Sequence, residues 1–343
     1  MTARFLFSAN YLKVCYNKPY KTKTEDIMDY SQILSQQFNI KEEYAKNIIT
    51  LLDDGNTIPF IARYRKEMHG SMDDQLIREF AEKLEYLRGL DKRRDEIRSL
   101  IDAQEKLTDE INLALDKAAT LSELEDIYRP YRPKRKTRAS IAKEKGLEPL
   151  ANDILKQEKG FDPSKSAVDY IDEEKGVTSV EDAIQGAMDI IAELVSDNAE
   201  IRKRIRNLTN ANGVLVSVAT DEEKDSVYKN YYDYKEPVKK IAGHRVLAVN
   251  RGEKEGFLKV SVETDSEKPL NSIFRAMITD KNQLCSDIIR EACTDAYQRL
   301  IYPSIEREVR NDLTDTASEN AMKVFAVNLK QLLMQPPVKG KTV

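Results

Sequence analysis

The feature of this sequence that most constrains its fold is a helical spacing of apolar residues that continues through most of the chain. In the longest stretch, apolar side chains recur three, four or seven residues apart with charges between them, at Ile77, Phe80, Leu84, Leu87, Leu90, Ile97 and Ile101. This spacing predicts a long amphipathic helix with one buried stripe and a solvated charged face. Shorter stripes with capping signals run from Met28 to Leu208. We predict a mainly α fold, a multi-helix bundle or array.

The periodicity changes between residues 211 and 265. Val214–Ala219 is β-branched and apolar, whereas Arg245–Asn250 and Phe257–Glu263 alternate loosely with period two. Two strands joined by a short loop with glycines near its ends, here Arg251–Gly256, indicate a β-hairpin. We therefore predict one small β insertion, a hairpin or sheet, in an otherwise helical chain.

These patterns divide the 343-residue chain into several parts. Because this length exceeds what one hydrophobic core usually serves, we expect two or more packed units. Residues 1–27 lack the long apolar region of a signal peptide, and we expect a non-native or disordered extension there. After it we predict a helical region over 28–210, the β insertion over 211–265, a second helical region over 266–334 and a linker over 335–343.

Sequence motifs of catalysis and metal binding are missing. The chain has no Gly-x-x-x-x-Gly-Lys-Ser/Thr phosphate loop and no Gly-x-Gly-x-x-Gly fingerprint. Its cysteines and histidines are too few and too scattered for a four-ligand zinc site, at Cys15, Cys285, Cys293, His69 and His244. We therefore expect no enzyme activity, no cofactor, no metal and no small-molecule substrate.

Composition bounds the location and the mode of binding. No apolar run approaches the ~20 residues of a membrane-spanning helix, and three scattered cysteines are typical of a reduced, cytoplasmic protein. The formal net charge of −4 provides no global positive field. Any binding to nucleic acid must therefore come from local basic patches.

The basic segment, residues 129–138, is the most informative local feature. It contains six cations and no acid, at Arg129, Arg132, Lys134, Arg135, Lys136 and Arg138. Pro130 and Pro133 keep it extended and off a helix, and Tyr131 offers a ring on which a base can stack. Such cations suit phosphate contacts without sequence specificity. Two alternatives stay open, in which the segment pins this region to further domains or forms a solvated loop paired with nearby acids, at Glu123, Glu125 and Asp126.

A second candidate site lies in an element with the outline of a helix-turn-helix, over residues 41–67. Its second helix has three cations near its end, at Arg63, Arg65 and Lys66. DNA readers usually place base-contacting residues near the start of the recognition helix, where this sequence has residues that we interpret as core, Ile58, Pro59 and Phe60. We therefore expect a structural element without sequence-specific reading of the major groove. Alternatively, the two arginines form ion pairs with Glu67 or with acids on the next helix.

Seven strings resemble the Tex family of bacterial transcription accessory proteins, and they occur in family order. They are Thr57–Glu67, Leu84–Arg88, Leu121–Tyr128, Tyr131–Ala139, Gly146–Leu150, His244–Gly256 and Gln335–Lys341. The resemblance covers the amino-terminal helical region of the family, whose members continue into RNase-H-like, helix-hairpin-helix and S1 domains that we expect to be absent here. It implies a role in transcription, with RNA in preference to DNA as the nucleic acid and the transcription machinery as a partner.

Two functions from different classes remain open at this point. The first is a scaffold that binds RNA without sequence specificity, through the basic segment and the cations at residues 63, 65 and 66. The second is a protein–protein interaction scaffold whose basic segment is structural, which the acidic net charge and the long amphipathic helices favour. A salt titration of RNA binding separates the two, because only phosphate contacts release counterions.

Overall fold

The structure is a computed structural model that describes residues 23–133, 135–279 and 281–335, with side chains from Tyr30 onward. Residues 1–22 of the predicted extension lie outside the described residues. The same holds for residues 336–343 of the predicted linker. The chain divides into two compact units between Leu121 and Ser122, inside the helical region predicted over 28–210.

The first unit is a set of helices around a small apolar core. Its helices are α1 (Lys23–Phe38), α2 (Glu42–Asp53), α3 (Ile58–Tyr64), α4 (Asp74–Asp102) and α5 (Asp109–Lys117). The core combines buried side chains of the first four helices, among them Leu34, Ile48, Ile49, Ile61, Ile77 and Phe80. The two helices predicted within residues 41–67 are therefore present, and Gly55 turns the chain between them at a φ of +79°, a conformation that glycine adopts without strain.

The long helix α4 follows the predicted stripe. Asp73 caps its start by accepting a hydrogen bond from the Leu76 amide at 2.8 Å. Arg94, which interrupts the stripe, donates to the Leu115 carbonyl at 2.9 Å and to the Ala118 carbonyl at 3.0 Å. The polar break in the apolar pattern therefore satisfies carbonyl groups at the end of α5.

The second unit contains the remaining helices and a small sheet. The helices are α6 (Leu121–Tyr128), α7 (Arg138–Glu144), α8 (Glu148–Lys156), α9 (Pro163–Ala167), α10 (Val180–Asp197), α11 (Ala199–Asn212), α12 (Gly243–Lys254), α13 (Glu267–Met277), α14 (Gln283–Asp295) and α15 (Tyr302–Leu333). Helix α10 lies at the centre, where its buried residues join a core with α7, α8 and α14. A π-helical turn, Ala296–Ile301, connects α14 to α15.

The sheet has three antiparallel strands, β1 (Val214–Ala219), β2 (Asp233–Pro237) and β3 (Leu258–Glu263), in the order β2-β1-β3. In the register, Ser217 of β1 lies between Tyr234 of β2 and Val260 of β3. A mainly α fold with one small sheet is confirmed. Strand β2 was not predicted, because its charged residues and its proline suit an edge strand and leave no apolar alternation.

The predicted hairpin is wrong. Residues 245–250 lie in α12, and β3 pairs with β1 instead of with a neighbouring strand. Val246 and Val249 are both buried, at helical spacing, and a Cβ on the buried Gly252 would lie only 2.5 Å from Leu258. By periodicity alone, a short apolar run fits a strand and a buried helix equally well. Here the run is a helix, because Gly252 allows α12 to approach β3 closely.

Candidate nucleic-acid interface

The basic segment has three local conformations. Arg129–Tyr131 forms a 3-10 turn that includes Pro130, Arg132 after it has an extended backbone with φ −69° and ψ 134°, and Thr137 caps α7. The Thr137 hydroxyl accepts from the Ser140 amide at 3.0 Å, while the Thr137 amide donates to the Ser140 hydroxyl at 2.8 Å. The prediction of an extended segment off a helix therefore holds at Arg132 and is wrong at the two ends of the segment. Arg129 lies in the turn, and Arg138 is the first residue of α7.

Four cations of the basic segment are exposed to solvent, Arg132, Arg135, Lys136 and Arg138. The Lys136 ammonium lies 3.7 Å from the Glu144 carboxylate, and both side chains are largely exposed, so this pair is screened and weak. Among residues 122–133, 135–279 and 281–335, Arg132 and Arg135 form no ion pair. Their guanidinium groups therefore face water with their charge available. Lys134, which we also predict as a site residue, lies outside the described residues.

Arg129 and Tyr131 differ from the other predicted site residues because both are half-buried. The Arg129 guanidinium lies 3.4 Å from the Asp197 carboxylate at the end of α10. Burial lowers the pKa of Arg129, and the neighbouring charge of Arg202 lowers it further. Arg129 therefore directs its charge into the protein and holds the start of the segment against α10.

A buried network of four charged residues fixes the end of α6, where the basic segment begins. Asp126 of α6 accepts from Arg202 at 2.5 Å and from Arg206 at 2.7 Å, both on α11. Glu308 of α15 accepts from Arg202 at 2.8 Å and from Arg206 at 2.9 Å. Arg202 is fully buried, so its charge requires these partners. The positive charges of the two arginines equal the negative charges of the two carboxylates, so the network has no net charge.

This network bears on the alternative in which the basic segment pairs with nearby acids. Asp126 pairs with α11, and Glu123 pairs with Lys203 of the same helix at 2.9 Å. These two acids do not neutralise Arg132 or Arg135. The network was not predicted from the sequence, although one signal was available. Arg202 and Arg206 are four apart and adjoin the buried apolar pair Ile201 and Ile205, which places cations beside the apolar face of a helix.

The Tyr64 surface, which comprises Phe60, Arg63, Tyr64, Arg65 and Lys66, lies at the end of α3 in the first unit. All of these side chains except the half-buried Phe60 are exposed. The Phe60 and Tyr64 rings lie 5.3 Å apart, and the Arg65 guanidinium lies 5.4 Å from the centre of the Phe60 ring. This surface therefore combines two aromatic rings with three cations.

The prediction that Ile58, Pro59 and Phe60 are core residues is only partly right. Ile58 packs against the core, but Pro59 is exposed and Phe60 is half-exposed, whereas Ile61 is fully buried. The short helix turns only one face to the core, and Ile61 occupies it. The alternative of ion pairs for the arginines is not found, because within residues 30–121 neither Arg63 nor Arg65 lies in an ion pair.

Two further features of the described residues bear on the class of site. From residue 30 to residue 335, apart from positions 134 and 280, no group of three or more His, Cys, Asp or Glu side chains is placed to hold a metal ion. No helix in the described part of the chain is both long enough and apolar enough to cross a membrane.

Two family models match the chain. The model described as Tex-like protein N-terminal domain matches residues 28–102. The model described as Tex central region-like matches residues 158–325. The two matches lie in separate parts of the sequence and include most of both structural units.

Curated relatives match most of this chain but less than half of their own length. The uncharacterized protein YdcI of Bacillus subtilis is 44% identical over 323 residues, which is 92% of this chain and 45% of YdcI. The transcriptional accessory protein Tex of Neisseria gonorrhoeae is 36% identical over 321 residues, 90% of this chain and 42% of that protein. The human S1 RNA-binding domain-containing protein 1 is 31% identical over 341 residues, 94% of this chain and 34% of its own length.

Proposed function

Because the chain belongs to the Tex family of transcription accessory proteins, we propose that it is a scaffold that binds nucleic acid without sequence specificity, with RNA as its preferred ligand. The observation that carries this proposal is the exposure of Arg132, Arg135, Lys136 and Arg138 on one short segment of a chain whose net charge is −4. The name of the human relative, which refers to an S1 RNA-binding domain, supports RNA as the ligand.

The physical basis of the binding is counterion release from the phosphate backbone. A guanidinium or ammonium group that contacts a phosphate displaces a condensed cation and reads no base. If four cations each engage one phosphate of a single strand, the logarithm of the binding constant should fall with the logarithm of salt with a slope of about −3. The buried network at the end of α6 and the cap at Thr137 hold the two ends of the segment, so these ends need little ordering on binding.

We propose that the scaffold works in the cytoplasm beside the transcription machinery and that it contributes binding without catalysis. The described residues of the basic segment offer four exposed cations for this binding. The chain spans less than half the length of its curated relatives, and the affinity of a longer protein would include contacts from its other parts.

A salt titration with a matched charge control tests the proposal. The variant Arg132→Ala, Arg135→Ala, Lys136→Ala removes three exposed cations of the basic segment. The control Lys165→Ala, Lys229→Ala, Lys239→Ala removes three exposed cations from other segments of the same unit. Fluorescence anisotropy with a labelled single-stranded RNA should show a salt slope smaller by about 2 in the first variant only. Equal losses in both variants, or no binding by the wild type at low salt, would overturn the proposal.

One observation favours a second function, a protein–protein interaction scaffold whose basic segment is structural. The last part of α15 exposes a stripe of large apolar residues at helical spacing, at Met322, Phe325, Leu329, Leu332 and Leu333. Exposed apolar stripes of this kind are typical of surfaces that contact other proteins. Under this alternative, the wild type shows no salt-dependent RNA binding, and polar substitutions in the stripe abolish the interaction with the partner.

A further inference from the structure

We propose that the Tyr64 surface binds an unpaired base of a single-stranded nucleic acid. In this proposal the Tyr64 ring stacks on the base, while Arg63, Arg65 and Lys66 contact the adjacent phosphates. The inference rests on the proposed function and adds to it a preference for unpaired nucleotides. It concerns the first unit of the chain, whereas the basic segment lies in the second.

The first observation is the exposure of an aromatic ring. Tyr64 is 64% exposed, although burial of such a side chain would stabilise the fold by about 1.5–3 kcal/mol. Its only ring neighbour among the described residues is Phe60, at 5.3 Å and a tilt of 42°. This tilted contact leaves the ring of Tyr64 accessible to a planar ligand from the solvent side.

The second observation is that the Tyr64 ring lacks the covering cation that the other described tyrosines of this unit have. Among residues 30–121, a cation lies over each of the other three tyrosine rings, with Lys83 at 4.7 Å from the centre of Tyr86, Lys41 at 5.7 Å from Tyr44 and Arg88 at 6.0 Å from Tyr30. At the Tyr64 surface, the nearby guanidinium of Arg65 lies over Phe60. No cation covers Tyr64 within residues 30–121, and its π face can therefore stack on a base.

The third observation is charge. Residues 63–67 hold three cations and one acid, Glu67, for a local net charge of +2 in a chain whose total is −4. The cations are exposed and none lies in an ion pair among residues 30–121. Basic side chains next to an aromatic ring complement a ligand that is both planar and anionic, such as a nucleotide in a single strand.

The geometry of α3 favours a single strand over a duplex. In a duplex the bases stack on each other, and only their edges are accessible in the grooves. A recognition helix reads those edges from its start, but Ile58 at the start of α3 packs against the core. The aromatic ring and the cations lie at the other end, where an unpaired base can leave its own stack and contact Tyr64.

The surface is also held in place. Ile61 is fully buried, and its carbonyl lies 3.1 Å from Nε2 of the buried His69. The same carbonyl accepts from the Arg65 amide at 3.1 Å. Both contacts fix the last turn of α3, and Tyr64 is therefore presented on a defined backbone, which lowers the entropic cost of binding.

The absence of tryptophan from the sequence allows a direct test. Tyr64→Trp introduces a single indole whose emission is quenched when a base stacks on it. The full chain is titrated with four oligonucleotides of equal length, namely single-stranded RNA, single-stranded DNA, an abasic strand and a duplex. We expect saturable quenching with both base-bearing single strands and none with the abasic strand or the duplex. The ratio between the RNA and DNA arms identifies which strand is preferred.

A matched control is available on the same unit. Tyr86→Trp places the indole on α4, where Tyr86 is 43% exposed but Lys83 lies over the ring. We expect no saturable quenching there. Independently, Tyr64→Ala should raise the Kd for a base-bearing single strand by roughly 5- to 100-fold and leave the Kd for the abasic strand unchanged, whereas Tyr64→Phe should retain binding.

Different experimental outcomes would contradict this inference and the proposed function. If base-bearing and abasic strands bind equally, and substitutions in the basic segment weaken both, the inference is wrong and the proposed function stands. Equal quenching at positions 64 and 86 would indicate diffuse contact and would overturn the inference. If no oligonucleotide binds the wild type at low salt, the proposed function fails together with the inference, and the ring serves a protein partner instead.

Discussion

The basic segment and the Tyr64 surface both present arginine and lysine side chains to solvent, but the protein supports them by different means. The basic segment begins where a buried network of charged residues, centred on Arg202, holds the end of α6. The Tyr64 surface lies on a short helix that is anchored by the fully buried Ile61, by Ile58 packed against the core, and by contacts of the Ile61 carbonyl. Charge supports the first and apolar burial supports the second.

The difference matters for what each surface can bind. The basic segment offers cations, while its Tyr131 is half-buried and its Arg129 pairs with Asp197, and its proposed ligand is therefore a phosphate backbone. The Tyr64 surface adds an exposed ring, and its proposed ligand is a base together with its phosphates. Four predictions test this contrast, in order of decreasing effect.

The largest effect is expected from Arg202→Ala in the buried network. The substitution leaves Asp126 and Glu308 with one cation, the half-buried Arg206, between them, and we expect the free energy of unfolding of the second unit to fall by about 3–5 kcal/mol. Lys203→Ala on the same helix removes a partly exposed pair and should cost at most about 1 kcal/mol. A cost for Arg202→Ala similar to that of its neighbour would show that the network is not the support of the segment.

Thiol labelling assigns this loss to the second unit. Cys285 and Cys293 are buried in its core, and burial raises the pKa of the Cys293 thiol to about 12. A protonated, buried thiol reacts only when the unit opens. In a Cys15→Ser background, Arg202→Ala should accelerate labelling of both thiols, whereas substitutions in the first unit should not.

The second prediction concerns the apolar support of the Tyr64 surface. Ile61→Ala removes a fully buried side chain and should destabilise the first unit by about 2–5 kcal/mol, while Ile61→Val should cost about 0.5–1.5 kcal/mol. Denaturant unfolding followed by the emission of Tyr64→Trp measures both. Because the support is apolar, the cost of Ile61→Ala should not depend on salt between low and moderate concentrations. A strong salt dependence would place charge in the support of this surface as well.

A smaller effect is expected at the other end of the basic segment. Thr137→Ala removes the hydroxyl that caps α7 and should cost about 0.5–2 kcal/mol, whereas Thr137→Ser retains the cap. Thr137→Ala should also bind RNA more weakly than Thr137→Ser, because Arg138 is the first residue of the capped helix and its position depends on the cap. Equal affinity of the two variants would show that the orientation of α7 has no part in binding.

The smallest effect concerns pH. Burial raises the pKa of Asp189, although Arg299 at 3.7 Å and the charge of Arg138 offset part of the shift. Because the folded pKa is higher than the unfolded one, ionisation costs stability as the pH rises above the unfolded value of about 3.9. Asp189→Asn should therefore be at least as stable as the wild type at neutral pH, and the difference should vanish near pH 3. Thermal unfolding at both pH values measures the difference in stability. A variant Asp189→Asn that is less stable than the wild type at neutral pH would contradict the prediction.

The cations of both sites could be located from the sequence, but their orientation could not. Six cations without an acid are visible in residues 129–138, and the run does contain the exposed side chains Arg132 and Arg135. That Arg129 turns inward depends on Asp197, which is distant in the sequence. The exposure of Tyr64 was not predicted, because a helical spacing in a seven-residue helix does not determine which face meets the core.

What the sequence determined by itself is the local pattern: the mainly α class, the stripe of α4, the turn at Gly55 and the density of cations in the basic segment. Tertiary structure decided what requires distant partners. The run at residues 245–250 became a helix because Gly252 permits close contact with β3. The buried network joins residues 76 and 106 positions apart, Asp126 with Arg202 and Arg202 with Glu308. Periodicity is a property of neighbours along the chain, whereas the partner of a buried charge is chosen by packing.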